Sequence, residues 1–95
     1  MYTWNKDDLR REDGTITLGV TDNRQMCIYV YAGLSDRMRE KVLTHELVHA
    51  WIYSYGIMLS VQQEEMICSF VDTYGRSIIA QADQLLYGQQ ITKII

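Results

Sequence analysis

Proline is missing from this chain, and no repeat, low-complexity tract or linker divides it. The 95 residues therefore read as one domain over 1–95, near the lower limit for a self-sufficient hydrophobic core. Positive charge is not in excess: nine Lys and Arg stand against twelve Asp and Glu, a net charge of −3. That leaves no broad basic footprint, so no nucleic-acid partner is expected. No run approaches the roughly 20 apolar residues needed to span a bilayer, which excludes a membrane partner of that kind. Residues 1–8 contain no apolar segment resembling a signal peptide, so a cytoplasmic location is expected. Cysteine is scarce as well. Cys27 and Cys68 lie outside any C-x-x-C arrangement and read as small buried hydrophobes rather than a disulfide.

Only two histidines occur, and both fall in one pentapeptide, His45-Glu46-Leu47-Val48-His49. On an α-helix, residues four apart share a face, so both imidazoles can chelate one Zn²⁺. Glu46 is rotated by about 100° from His45, beside such an ion but not on it. This H-E-x-x-H spacing is that of zinc-dependent peptidases, in which the glutamate acts as general base.

The pattern around the motif predicts an α+β fold. Residues 15–20 alternate, with Ile16, Leu18 and Val20 on one face, and residues 26–31 are β-branched and aromatic. The polar stretch 21–25 suits a hairpin turn between them, giving a β-hairpin or small antiparallel sheet. Ser35 is a good N-cap for a helix that runs to about Tyr55, where Gly56 offers a stop. Ser60 and Gln63 have the form of a capping box opening a second long helix, antiparallel to the first. That helix reaches about Tyr87, with a bend expected at Gly75. The first helix carries apolar residues on two sides, Met38, Val42 and Ile52 beside the histidines, and Leu43, Leu47 and Ala50 opposite. It is therefore expected to lie between the sheet and the second helix.

A zinc peptidase needs a third protein ligand, and with no third histidine a carboxylate must supply it. Ile67, Val71, Tyr74, Ile78 and Leu85 define an apolar stripe on the second helix, and Glu64 lies near its middle by helical angle. In an antiparallel hairpin Glu64 comes level with His49 to within about 3 Å. Glu64 is the expected ligand, Glu65 the alternative one residue out of phase, and Cys68 a lesser one. Asp72, roughly 18 Å up the helix, is expected to point away. Failing a metal, Glu64 is a first-turn glutamate steadied by the helix dipole.

At this point the chain resembles the ImmA/IrrE-like metallopeptidases of bacteria, phages and mobile elements, short zincins of the gluzincin type. Those proteins pair an H-E-L-x-H helix with a later E-x-x-A-x-x-F-A segment. Residues 64–71 keep the Glu and the Phe of that segment as Glu64 and Phe70, with Ile67 and Val71 in place of the alanines. The resemblance covers roughly residues 15–75 and independently nominates Glu64. Val48 stands where that family usually has Gly, and neither a helix-turn-helix nor a Leu-Leu-x-Pro segment is attached. What the resemblance implies is a minimal zincin-like domain that hydrolyses peptide bonds, with a regulatory protein such as a repressor as a conceivable substrate.

The expected chemistry is attack of zinc-bound water on a peptide carbonyl. His45, His49 and Glu64 hold the metal, and Glu46 takes and returns the proton. Tyr53, one turn after His49, is a candidate donor to the oxyanion, with plain packing as its alternative; Trp51 is assigned to packing. An extended peptide or protein substrate would pair with a free sheet edge, for which residues 26–31 are nominated. Two competing readings are a non-catalytic binding or regulatory protein that keeps the zincin fold, and a metal-dependent hydrolase acting on a non-peptide amide.

Overall fold

The computed structural model describes residues 1–88; the rest of the expected domain, 89–95, lies outside the described residues. The chain forms a small α+β fold with a three-stranded mixed sheet and two helical rods. In order these are β1 (Tyr2–Thr3), a 3₁₀ turn (Lys6–Leu9), β2 (Gly19–Asp22), β3 (Cys27–Tyr31) and α1 (Asp36–Ser54). The second rod comprises α2 (Val61–Phe70), a π-helical turn (Val71–Gly75) and α3 (Arg76–Tyr87). Among the described residues no helix is long and apolar enough to cross a membrane.

Helix boundaries follow local chemistry. Ser35 caps α1, its hydroxyl accepting from the Met38 N–H. At the other end Gly56 sits at φ +61°, in the left-handed region. Its N–H donates to the Tyr53 carbonyl, and that of Ile57 donates to Ile52. This pair of bonds is a Schellman termination, and it favours glycine because a Cβ resists positive φ. The reciprocal capping box of Ser60 and Gln63 then opens α2 as the sequence indicates.

The sheet departs from expectation in order and boundaries. Its order is β1-β3-β2, with β1 parallel and β2 antiparallel to β3. The expected antiparallel hairpin is present, but β2 begins only at Gly19. Before it, Ile16 instead makes an isolated bridge to Arg10. Ile16 and Leu18 are exposed, so the alternation of residues 15–20 does not mark a core face. The cause is at Gly19: a Cβ there would lie 2.6 Å from Val42 Cγ1 and 3.0 Å from Glu46 Cγ. The strand can press onto α1 only where the side chain is missing. Being central, β3 also has no free edge, which overturns its nomination as the peptide-binding strand; β2 and β1 are the edges.

Helix α1 contacts both the sheet and the second rod, the intermediate position read from its two apolar stripes. The seam is nonetheless open along one side, where Leu47 and Trp51 are exposed and Trp51 stacks on Tyr55. Among the described residues, Leu9, Val30, Ile52 and Cys68 are the buried hydrophobic ones. Cys27 is only partly buried, contrary to expectation. The apolar stripe expected to face α1 from the second rod does not do so as a whole: Val71 is partly buried, but Tyr74 and Leu85 are each more than half exposed. Turned toward α1 are Glu64, Glu65, Cys68 and Asp72.

Candidate metal centre

His45 and His49 project from one face of α1, one turn apart, with ring centroids 5.1 Å apart. Across the seam, carboxylates meet every ring nitrogen. Glu65 spans the two Nε2 atoms, Oε1 lying 3.0 Å from His49 and Oε2 3.2 Å from His45. Nδ1 of His49 contacts Glu64 Oε2 at 2.5 Å, and Nδ1 of His45 contacts Asp72 Oδ2 at 2.7 Å. Both rings are largely sheltered from solvent.

The side chain between the Nε2 atoms is thus Glu65, whereas helix phase had favoured Glu64. Taking the apolar stripe as the inner face rotated the whole rod by about one residue, or about 100°. Residues 65, 68 and 72, spaced three and four apart, form the true inner row. Asp72, expected to point away, belongs to it. Its Oδ1 is bound by Lys41 Nζ, from the turn of α1 before His45. Thr73 adds a hydroxyl at 2.9 Å. Burial alone would raise the Asp72 carboxyl. Hydrogen bonds from Lys41, His45 and Thr73, with the Lys41 charge, outweigh it and hold the group below the usual carboxylate range. Asp72 sits in the π-helical turn, a local widening that often marks functional positions in helices.

Donor counting tests whether a cation fits. Glu64 and Asp72 each meet one Nδ1, and Glu65 meets both Nε2 atoms. With those carboxylates ionised and a proton on each Nδ1, both Nε2 lone pairs would face an acceptor, and a cation between them and Glu65 would relieve that arrangement. Tetrahedral zinc with bonds of about 2.0–2.1 Å separates its N and O ligands by about 3.3 Å. The two Glu65 oxygens, one on each Nε2 at 3.0 and 3.2 Å, are within reach of that spacing and equally of a hydrogen bond. The outer carboxylates on Nδ1 are the arrangement that orients metal-binding imidazoles. The residues present fit a divalent cation.

Cys68 completes the cluster. It is 0% exposed, and its Sγ and one ring nitrogen of each histidine all lie within 4.8 Å of one another. Burial, and then the charges of Glu65, Glu64, Glu46 and Asp72, push its thiol up to about 12. Without a cation it is therefore a neutral thiol among four carboxylates.

Glu46 points the other way, toward the sheet. It is 4% exposed. The Thr21 hydroxyl from β2 lies 2.8 Å from its Oε1 and 2.9 Å from its backbone carbonyl, sharing one proton between two acceptors. Among the described residues no cation pairs with it. Thr21 also lines a groove of about 540 Å³ beside β2, with Val20, Asp22 and Tyr53 among its walls. Tyr53 is more than half exposed there, so it is not core packing.

No protein-family model, curated protein or solved structure matches this chain. Its activity has to be read from its own side chains.

Proposed function

We propose that the chain is a zinc metallopeptidase of minimal zincin-like architecture, with His45, His49 and Glu65 as the protein ligands. The observation that carries this reading is the pattern of carboxylate contacts at the histidines. Each Nδ1 is committed to a carboxylate, and both Nε2 atoms converge on Glu65. Glu65 replaces Glu64 as third ligand in this reading, and Glu64 becomes the orienting partner of His49. When bound, zinc supplies Lewis acidity, polarising a carbonyl and lowering the pKa of water.

The rest of the chemistry belongs to the chain. Glu46, buried on the sheet side of α1 with a single hydroxyl partner, is the candidate general base that accepts a proton from water and returns it to the departing amine. For this its carboxylate must turn from Thr21 toward the histidine face. A buried carboxylate without a counter-charge is costly, which argues for a task. At rest Thr21 holds its Oε1 and leaves Oε2 free. Edge strand β2, beside the groove, offers backbone groups to an extended peptide, and Tyr53 in the groove wall can donate to the carbonyl oxygen.

Glu46→Gln tests the proposal. The variant is expected to keep its metal content and lose about 10²–10⁴-fold in peptide hydrolysis. Equal rates for the two proteins would remove Glu46 from the mechanism. One observation favours a second reading, a closed metal centre in a non-catalytic binding protein. Cys68 is close enough to become a fourth protein ligand, as structural zinc sites have. In that case neither protein hydrolyses peptides while both bind zinc.

A further inference from the structure

We propose that Cys68 is the fourth protein donor of this centre and closes it at rest. The inference rests on the metal site proposed above and adds to it the state of its fourth position. Cys68 lies one turn beyond Glu65 on the inner row of α2, so the peptide backbone that presents the carboxylate also presents the sulfur. The residue is fully buried, and among the described residues its Sγ has no hydrogen-bond partner. Close to it are the imidazoles that hold the cation in the proposal.

The geometry requires little movement. In a tetrahedral zinc site, bonds of about 2.3 Å to sulfur and about 2.0 Å to nitrogen put the two atoms about 3.6 Å apart. The Sγ already lies within 4.8 Å of a ring nitrogen of each histidine. A shift of about 1 Å confined to the sulfur and the rings suffices, since the carboxylates across the seam are already in contact with the rings. On coordination the thiol proton leaves to solvent and the sulfur binds as thiolate, because a divalent cation reverses the local preference set by the carboxylates. The centre becomes Cys-His₂-Glu, with no position open to water until sulfur leaves or the metal accepts a fifth ligand. A soft sulfur donor also favours zinc or cobalt over magnesium or calcium.

Cobalt(II) titration of the full chain reads this directly. The wild type is expected to show visible d–d bands of a tetrahedral ion, together with a near-ultraviolet sulfur-to-cobalt charge-transfer band. Cys68→Ser should lose the charge-transfer band and keep d–d absorption, while Cys27→Ser keeps both. Zinc affinity of Cys68→Ser should fall by more than the roughly 10–100-fold typical of losing an outer-sphere partner. Wild type that binds cobalt without the charge-transfer band would overturn the role of Cys68 and leave the three-ligand site standing. So would a band that disappears with Cys27→Ser. Wild type that takes up no cobalt sinks the centre itself, and its fourth ligand with it. The wild-type spectrum decides by itself if Cys68→Ser fails to fold.

Discussion

The two faces of the second helical rod are inverted relative to an ordinary amphipathic helix. Its inner face, against α1, carries Glu64, Glu65 and Asp72 with Cys68 between them. Its outer face carries Ile67, Phe70 and Tyr74, all exposed, and beyond the part packed on α1 the α3 segment exposes Ile78 and Leu85 as well. A surface helix normally turns its apolar stripe to the core, where burial stabilises by about 25 cal/mol per Å². Here the seam is held by charge-assisted contacts instead: Lys41 to Asp72, Asp72 to His45, Glu65 to both rings and Glu64 to His49. Partly buried pairs of this kind contribute little net stability against the cost of desolvation. On the reading proposed here, the seam serves a ligand rather than cohesion.

The sharpest way to break that comparison is to remove the ion's third ligand. Zinc at a hundredfold excess over its Kd should stabilise the wild type by about 2.7 kcal/mol, or about 10–20 °C in Tm for a chain of this size. In Glu65→Ala that increment should vanish, whereas Glu64→Ala should keep most of it. Calorimetry with and without zinc checks both. The reverse result would return the ligand role to Glu64.

An intermediate effect is expected one step out. Asp72→Asn keeps the shape but loses the charge that orients His45 and anchors Lys41. Zinc affinity should fall about 10–100-fold, measured by competition with a chelator, with folding retained. An unchanged affinity would reduce Asp72 to a structural partner of Lys41 and His45. At the sheet, Gly19→Ala drives a methyl into Val42 and Glu46, and a loss of about 1–3 kcal/mol is expected from denaturant unfolding. Val42→Ala in the same chain should recover part of it, since Val42 Cγ1 is the closest obstacle.

The inversion also explains what could be read from the sequence and what could not. Caps at Ser35, Gly56 and Ser60 are local chemistry, and the helices begin and end where those residues indicate. The His45-Glu46-Leu47-Val48-His49 spacing likewise fixes its own geometry once it is helical. The phase of the second rod is different. It depends on which face meets α1, and hydrophobicity points to the wrong one, so Glu64 was favoured and Asp72 set aside. The available signal was chemical: Glu65, Cys68 and Asp72, each able to ligate a metal, recur at three and four residues along one face. The two-residue β1 leaves no periodic trace, and its parallel pairing with β3 is a tertiary choice.

The outer stripe yields the smallest expected effect. Ile78 and Leu85 on α3 are about half exposed, so replacing either by Gln removes little apolar area from contact. Substitutions at such positions usually stay within about 0.5 kcal/mol. Denaturant unfolding of Ile78→Gln and Leu85→Gln should therefore overlay the wild type, while Val30→Ala, at a fully buried position, should cost about 2 kcal/mol or more. Losses at Ile78 or Leu85 that match Val30 would mean the outer face is covered in solution. If those losses also scaled with protein concentration, the cover would be a second copy of the chain, because association enters measured stability by mass action.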